Sequence, residues 1–175
     1  MTILITGGSK CGKSLIGEKL LSSWSLSKYY IATMLPYGVE AREAIARHRQ
    51  MRKGKGFETV EIYTDIGGLS FPDNCGIMLE CMGNLLANEM FEANEPDPCE
   101  KIISGIKKLS ACAGLIIIIT NQVDSDGAEY SKETMLYIKN MGIINSSLAQ
   151  ISDCVIESVF GIPVSVKGGI PECLS

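Results

Sequence analysis

The chain lacks several features that would assign it to a common class. None of its seven cysteines is spaced as CxxC, so the sequence predicts neither a zinc site nor a disulfide framework. The longest apolar run, from Gly114 to Ile119, is far shorter than the roughly 20 residues that span a bilayer. The N-terminus lacks the basic segment followed by an apolar segment that is typical of exported proteins. We therefore expect a cytoplasmic protein without a membrane span.

Excess positive charge and low hydrophobicity are missing too. The net charge of −4 disfavours a protein that binds nucleic acid or an anionic membrane over its whole surface. Hydrophobic residues make up 46% of the chain and charged residues 21%, which excludes a disordered protein. A length of 175 residues predicts one domain over residues 1–175, large enough to bury a core.

Short apolar runs alternate with helical patterns along the chain. Several runs are continuously apolar, which is typical of parallel strands covered on both faces, so the pattern predicts an α/β fold with a mostly parallel sheet flanked by helices. Only Phe160-Gly161 separates the predicted strand Cys154–Val159 from the apolar segment Ile162–Val166. This short connection predicts a C-terminal β-hairpin. The predicted strands before it are Thr2–Thr6, Tyr29–Thr33, Thr59–Tyr63, Gly76–Glu80, Leu115–Thr120 and Cys154–Val159. The predicted helices are Lys13–Trp24, Val39–Lys53, Met82–Ala93, Pro98–Cys112 and Lys132–Ile151.

The strongest motif lies between the first predicted strand and the first predicted helix. Its residues, Gly7-Gly8-Ser9-Lys10-Cys11-Gly12-Lys13-Ser14, fit the phosphate-binding pattern G-x-x-x-x-G-K-[ST], and this context disfavours a chance match on a glycine-rich turn. Glycines let the backbone N–H groups surround a phosphate, and the helix N-terminus favours negative charge. Lys13 can bind the outer phosphates, and the Ser14 hydroxyl can bind Mg²⁺. The motif predicts a site for a nucleoside triphosphate with Mg²⁺.

A second acid is expected to help hold the metal. Glu80 ends the apolar strand Gly76–Glu80, and ligands of open α/β sheets bind at the carboxyl ends of strands. Asp124 and Asp126 are weaker alternatives, and Glu80 could also be an ordinary surface residue at the start of a loop.

The chain has one histidine, His48, on a predicted helix rich in arginine. Its position on the face that carries Ala44 and Ile45 allows a core histidine bonded to a carbonyl, with the basic residues facing solvent. It also allows a nucleophilic imidazole in an anion site, where arginines would neutralise charge on a phosphoryl centre and lower the histidine pKa. The residues by themselves leave both interpretations open.

Over nearly its whole length, and in the same order, the chain resembles the bifunctional adenosylcobinamide kinase and adenosylcobinamide-phosphate guanylyltransferase family of cobalamin assembly. The phosphate loop is similar to the family's opening loop, Thr-Gly-Gly-x-x-Ser-Gly-Lys-Ser, with Cys11 in place of the serine. Arg47-His48-Arg49 falls where the family carries its guanylylated histidine. Other similar segments are Tyr30 to Thr33, Phe57 to Glu61 with Phe57 in place of a tryptophan, Leu79 to Cys81, Thr120 to Val123 and Gly142 to Asn145.

The resemblance implies a RecA-like P-loop NTPase fold and two reactions. ATP or GTP phosphorylates the aminopropanol hydroxyl of adenosylcobinamide; GTP then transfers GMP to His48, and adenosylcobinamide-phosphate takes the GMP to give adenosylcobinamide-GDP. With His48 catalytic, the implied nucleotide-binding residues are Gly7, Gly8, Ser9, Lys10, Cys11, Gly12, Lys13, Ser14, Ala32, Thr33, Arg49, Arg52, Glu61 and Glu80. Ser14 and Glu80 are the implied Mg²⁺ ligands, although Glu80 could instead bind a guanine edge.

The resemblance also implies a homo-oligomer, a trimer in the family, and Met82–Phe91 could be its contact surface or part of the core. Gln122 replaces a family glutamate, and Asp124-Ser-Asp-Gly127 replaces a glycine-rich loop, so one of the two activities could be weakened. Two other functions remain open. One is a P-loop small-molecule kinase without a covalent step, although Lys132–Ile151 lacks the arginines of a kinase lid; the other is a non-catalytic regulatory module that binds a nucleotide.

Overall fold

The computed structural model describes residues 1–123 and 130–174 of the chain. Its strands are β1 (Thr2–Thr6), β2 (Lys28–Ala32), β3 (Glu58–Glu61), β4 (Gly76–Glu80), β5 (Leu115–Ile119), β6 (Cys154–Val159) and β7 (Ile162–Lys167). Over the described residues these strands form one seven-stranded sheet in the order β3-β2-β4-β5-β1-β6-β7. Every neighbouring pair is parallel except β6 and β7, which form an antiparallel hairpin. The predicted mostly parallel α/β fold with a C-terminal hairpin is confirmed.

The main helices follow the predicted order, and their ends differ from the predicted ends by a residue or two except at one place. The predicted helix Met82–Ala93 changes to a π-helical turn over Asn88–Glu92, where the Asn88 side chain donates hydrogen bonds to the carbonyls of Thr33 and Tyr63. The helices are α1 (Lys13–Ser22), α2 (Gly38–Arg52), α3 (Met82–Ala87), α4 (Pro98–Cys112) and α5 (Lys132–Ile151).

The sheet has an apolar core on each face. Ile3 and Ile5 of β1 pack with α1 on one face, whereas Leu4 between them packs on the other face with α3, α4 and α5. Alternate residues of a strand point to opposite faces, so the continuously apolar strands supply both cores. The segment considered as an oligomer contact is mainly core, because Leu85 and Leu86 are fully buried and only its end, Phe91, is exposed.

The helix α2 is the exception to this packing. None of its described side chains belongs to either apolar core, and Arg52, at its C-terminal end, is the one described α2 residue that is buried. Amphipathic helices normally dock through an apolar stripe. This helix instead docks through polar and charged side chains at the edge of the sheet where the candidate site lies.

Three further points concern the cysteines, a possible membrane span and the alternative metal ligands. All seven cysteines are free thiols. Within residues 1–123 and 130–174, no helix has both the length and the apolar character needed to cross a bilayer. The alternative metal ligands Asp124 and Asp126, and the replaced loop 124–127 that contains them, lie outside the described residues.

Candidate active site

The phosphate loop follows β1 directly and ends at α1. Gly7 has φ of +138° and Gly12 of +96°, a region of backbone conformation that favours glycine. A Cβ on Gly7 would also lie 2.7 Å from the carbonyl oxygen of Ser158 on β6. The glycine at position 7 is therefore required both by backbone conformation and by the close approach of the neighbouring strand.

Lys13 and Ser14 begin α1, at the positive end of its backbone dipole. The Lys13 ammonium is buried and donates hydrogen bonds to the carbonyls of Gly7 and Gly8, at 3.0 and 2.5 Å. The Ser14 hydroxyl donates to Oε1 of Glu80, which lies across the sheet at the end of β4. This topology brings residues that are 66 positions apart into contact.

Glu80 has a second carboxylate oxygen, Oε2, that is buried without a hydrogen-bond partner. Burial raises the pKa of Glu80 to about 7, although the hydrogen bond from Ser14 acts in the opposite direction. A buried polar atom without a partner costs about 1–3 kcal/mol. The free oxygen therefore points to a ligand that is not part of the protein.

The residues around Glu80 suit Mg²⁺. Ser14 and Glu80 offer a hydroxyl and a carboxylate, which are hard oxygen ligands, and Glu80 has an unsatisfied oxygen for the ion. Within the described part of the chain, no group of three or more His, Cys, Asp or Glu side chains could hold a metal by itself. This combination suits Mg²⁺, which is usually bound by one or two protein groups together with substrate phosphates and water.

Thr33, directly after β2, is hydrogen-bonded to the backbone at the end of β4, where Glu80 lies. The Thr33 amide donates to the Glu80 carbonyl at 3.0 Å, and its fully buried hydroxyl accepts from the Cys81 amide at 2.9 Å. Ala32 lines the cavity beside it. Because the Thr33 hydroxyl is occupied by backbone groups, its contribution to the site is to position Glu80.

His48 projects from α2 toward the phosphate-loop side of the sheet. Its side chain is 38% exposed, and its Nδ1 lies 3.9 Å from Oε2 of Glu80, so the residue is not in the core. Burial, and then the positive charge of Arg52, lower the pKa of His48. An ion pair would raise the pKa of the histidine and lower that of the glutamate. Here the pKa of His48 is lowered and that of Glu80 is raised, so the two side chains do not form one. The arrangement favours a neutral imidazole at neutral pH, the form that can act as a nucleophile.

Two arginines of α2 lie in different environments. Arg49 is exposed and donates to Oε1 of Glu61 at the end of β3. Arg52 is only 7% exposed, and its guanidinium lies over the ring of Tyr30, with Cζ 3.9 Å from the ring centroid. Arg52 thus contributes to the cavity wall, whereas Arg49 faces a shallower depression that it shares with Arg52 and Glu61.

A cavity of about 260 Å³ brings most of the predicted site together. It is lined by ten predicted residues: Ser9, Lys10, Lys13, Ser14, Ala32, Thr33, His48, Arg52, Glu61 and Glu80. Gly8, Cys11 and Gly12 line a neighbouring depression that also involves the β6–β7 turn. Gly7 and Arg49 do not line the main cavity.

Sequence reasoning missed three polar residues of the same cavity, namely Tyr30, Asn84 and Asn121. Tyr30 lies in β2 directly before the apolar residues Ile31 and Ala32. Its hydroxyl, a polar group on a strand that the sequence predicts to be buried, was the feature that could have indicated it. Asn121 lies just after β5, and Asn84 lies in the first turn of α3, which follows β4; both are at the edge where the phosphate loop lies. That position could have suggested them, as it suggested Glu80.

Comparison with known proteins agrees with this geometry. The model of the CobU family, described as cobinamide kinase / cobinamide phosphate guanyltransferase, matches residues 3–166. The bifunctional adenosylcobalamin biosynthesis protein CobU of Escherichia coli is 30% identical, over 95% of this chain and 100% of the relative. The protein of the same name from Salmonella typhimurium is 27% identical over 95% and 100%, and CobP of Pseudomonas aeruginosa is 25% identical over 96% and 98%. The chain belongs to the cobinamide kinase / cobinamide phosphate guanyltransferase family of enzymes.

Proposed function

We propose that this enzyme phosphorylates adenosylcobinamide with ATP or GTP and then transfers GMP from GTP, through His48, to give adenosylcobinamide-GDP. One observation carries the proposal. The phosphate loop and His48, on different elements, line one cavity together with Glu80. The triphosphate tail and the nucleophile of a guanylyl transfer must meet in this way. We also propose that the reaction takes place in the cytoplasm; the use of nucleotide substrates and the free cysteines support this part of the proposal.

The guanylyl transfer proceeds in two balanced halves. The unprotonated ring nitrogen of His48 attacks the α-phosphorus of GTP and forms a P–N bond. The bond from that phosphorus to the bridging oxygen breaks, and pyrophosphate leaves with the electron pair. A phosphate oxygen of adenosylcobinamide-phosphate then attacks the same phosphorus, and the P–N electron pair returns to His48. A lowered histidine pKa supports this role because it keeps the attacking nitrogen free of a proton.

The surrounding side chains would stabilise the charge that develops on the phosphate. Lys13 would bind the outer phosphates, and Arg52 would lie beside the α-phosphate with its charge buried. Mg²⁺, when bound, would neutralise part of the negative charge of the phosphates. Ser14 and Glu80 would hold it, since their oxygens already face each other.

The kinase half would use the same phosphate loop with a hydroxyl as the acceptor. The hydroxyl oxygen of the aminopropanol group attacks the γ-phosphorus and forms a P–O bond. The bond from that phosphorus to the bridging oxygen breaks, the nucleoside diphosphate leaves with the electron pair, and the hydroxyl proton passes to solvent. This half does not need His48. Gln122, which replaces a family glutamate, lies directly after the cavity residue Asn121, so the two activities should be measured separately.

Labelled nucleotides test the covalent step. We expect α-labelled GTP to give an acid-labile label on the wild type, no label on His48→Ala, and pyrophosphate in equal amount. Equal labelling of wild type and His48→Ala would contradict the histidine intermediate. Nucleotide turnover that is the same in wild type and His48→Ala, without any labelled protein, would favour the small-molecule kinase without a covalent step. Tight nucleotide binding without turnover would favour the non-catalytic regulatory module.

The kinase step has its own measurement. We expect adenosylcobinamide incubated with Mg²⁺ and γ-labelled ATP or GTP to become labelled by both wild type and His48→Ala. Mass spectrometry of the wild-type reaction with GTP should then show the GDP-linked product. A phosphorylated product that accumulates without the GDP-linked one would show that only the kinase half is active.

We also propose that copies of the chain associate, as a trimer by family resemblance. The edge strand β7 supports this proposal, because Ile162, Val164 and Val166 are exposed at alternate positions. An exposed apolar edge strand is a surface for pairing with another chain. Sedimentation velocity should show an oligomer for the wild type and a smaller species for Val164→Lys. A monomeric wild type would contradict the proposal.

A further inference from the structure

The phosphate loop has open space on two sides. A depression of about 710 Å³ lies between residues 8–12 of the loop and residues 157–161 of the β6–β7 hairpin. In the sheet, β6 and β4 lie on opposite sides of β1, and β4 ends beside His48, so the depression and the histidine flank the loop. Ser9 and Lys10 line both the depression and the main cavity. A triphosphate held by the loop therefore has two directions in which its nucleoside can extend.

The turn of the hairpin places an exposed phenylalanine at this depression. Phe160 is 95% exposed, although burial of a phenylalanine side chain is normally favourable. Phe160 and Gly161 have φ of +52° and +84°, the pattern of a type I′ turn, for which Asn-Gly and Asp-Gly are the preferred pairs. A bulky residue rarely adopts this conformation. Both the exposure and the backbone conformation of Phe160 disfavour folding, and residues of this kind are concentrated where ligands bind.

The turn is fixed against the phosphate loop. The Gly161 amide donates a hydrogen bond to the Cys11 carbonyl at 2.8 Å, and a Cβ on Gly12 would lie 3.0 Å from the Cα of Gly161. The backbone that carries the Phe160 ring is thus held at a set distance from the phosphate site. An aromatic ring in such a position suits a planar base that is attached to the bound phosphates, because bases stack on aromatic side chains.

The charges around the depression favour a nucleoside over a phosphate. The Glu157 carboxylate lines it on the β6 side and would repel phosphate groups. The same carboxylate can accept hydrogen bonds from ribose hydroxyls. Lys10, which lines the depression as well, lies at its border with the main cavity. This distribution places the phosphates in the loop and the uncharged part of the nucleotide in the depression.

The two proposed reactions need different ends of the triphosphate to be accessible. Guanylyl transfer brings the α-phosphorus to His48, so the nucleoside lies on the side of the main cavity. Phosphoryl transfer instead needs the γ-phosphorus to be open to the aminopropanol hydroxyl. The main cavity, at about 260 Å³, is smaller than the roughly 300–1,000 Å³ typical of a site for one drug-sized ligand, so it does not hold the nucleoside and the acceptor together. A nucleoside placed in the depression leaves the main cavity to the acceptor.

We propose that the depression at the β6–β7 turn is a second base site, in which the Phe160 ring stacks on the purine of the nucleotide used in the kinase step. The loop then holds its nucleotide in opposite directions in the two reactions. The proposal rests on the proposed function for the assignment to the kinase step, whereas the base site itself requires only a triphosphate in the loop. Adenine and guanine both fit, because stacking uses the ring face that the two bases share.

Phe160→Asn tests the base site, because it removes the ring and gives the turn its preferred pair. Calorimetry with Mg²⁺ measures binding of β,γ-methylene ATP, which cannot transfer its γ-phosphoryl group, and of inorganic tripolyphosphate, which has no base. We expect Phe160→Asn to weaken binding of the ATP analogue about 5–100-fold and to leave that of tripolyphosphate within about twofold. Phe160→Trp, which keeps an aromatic face, should bind the analogue within about threefold of wild type. Phe91→Asn makes the same exchange at a half-exposed phenylalanine that lines neither space, and both affinities should stay at wild-type values.

Enzyme assays test the two directions. Phe160→Asn should raise the KM for ATP in the phosphorylation of adenosylcobinamide about 5–100-fold with little change in kcat, because stacking binds substrate and transition state equally. The rate at which α-labelled GTP labels His48 should stay within about twofold of wild type. Equal losses in both reactions would overturn the proposal. If wild type forms no labelled histidine, the guanylyl transfer fails, but the comparison of the ATP analogue with tripolyphosphate still decides whether the base site exists.

Thermal unfolding and sedimentation velocity separate a base contact from a structural role. The ligand-free melting temperature of Phe160→Asn should equal or exceed that of wild type. Unchanged affinity for the ATP analogue would overturn the proposal; a lower melting temperature or a smaller oligomer would then show that the ring serves folding or contact with a second copy of the chain. An equal loss of affinity for tripolyphosphate would also overturn it, because the loop itself would be damaged. So would a wild type that binds the analogue no more tightly than tripolyphosphate.

Discussion

The phosphate loop and the histidine helix α2 face the same cavity but are held in different ways. The Cys11 carbonyl accepts hydrogen bonds from the Ser158 hydroxyl at 2.6 Å and the Gly161 amide at 2.8 Å, so the β6–β7 hairpin supports the loop from outside. α2 has no comparable backbone support: Arg49 donates to Glu61 at the sheet edge, and among the described side chains of the helix only Arg52 is buried. The loop is thus formed by the protein before any ligand binds, whereas the position of α2 depends on contacts within the cavity. Substitutions on the two sides should therefore fail in different ways.

The largest effect is expected on the loop side, at Lys13. Its buried ammonium is the one that would meet the outer phosphates, and removing one such preorganised charge costs about 10²–10³-fold in rate. We expect Lys13→Met to reduce both labelling of His48 and kinase turnover by that factor. Lys19→Met, on the exposed side of the same helix, should leave both rates close to wild type. A loss confined to one of the two activities would show that they do not share the loop.

The second prediction compares two adjacent glycines of the loop. A Cβ at Gly7 would meet the Ser158 carbonyl at 2.7 Å in a positive-φ conformation, whereas a Cβ at Gly8 would have nothing within 4 Å. We expect Gly7→Ala to lower the free energy of unfolding by about 1–3 kcal/mol, because backbone must shift to make room. Gly8→Ala should change it by less than about 0.5 kcal/mol. Urea unfolding of both variants measures the difference, and equal values would mean that the hairpin does not constrain the loop.

The third prediction removes the side-chain support of the loop. Ser158→Ala deletes the hydrogen bond to the Cys11 carbonyl but leaves the one from Gly161. We expect a loss of about 0.5–1.5 kcal/mol in the free energy of unfolding and a weaker affinity for tripolyphosphate. Ser165→Ala, on the exposed strand of the same hairpin, is the matched control. If both variants bind tripolyphosphate equally well, the hairpin supports folding but not phosphate binding.

The sheet and the phosphate loop were predictable because their signals are local. β5 reads Leu-Ile-Ile-Ile-Ile, and a run this apolar and this short fits a strand buried on both faces. The loop motif requires its residues at fixed spacing, so eight neighbouring positions identify it without tertiary information. Glu80 could be proposed for a similar reason, since its place at the end of an apolar strand puts it at the ligand-binding edge.

The contacts of α2 were not predictable from its pattern. Helical spacing placed Ala44, Ile45 and His48 on one face, but the buried residue is Arg52, and a charged side chain is assigned to solvent by any hydrophobicity pattern. It packs against the ring of Tyr30, a residue of β2 that lies 22 positions away in the chain. The π-helical turn after α3 was missed for the same reason. Its Asn88 binds carbonyls of two distant segments, and helix propensity contains no information about them.

The smallest effect is expected on the exposed side of α2. Glu43 and Arg47 form an ion pair at 4.0 Å with both side chains largely in water, and such pairs contribute little. We expect Glu43→Ala to change the free energy of unfolding by less than about 0.5 kcal/mol and to leave the rate of His48 labelling within twofold. Urea unfolding and the labelling assay provide the two measurements. A large loss of labelling with normal stability would mean that the exposed face of α2, as well as its contact with Tyr30, positions the histidine; that result would reduce the contrast between the two sides of the cavity.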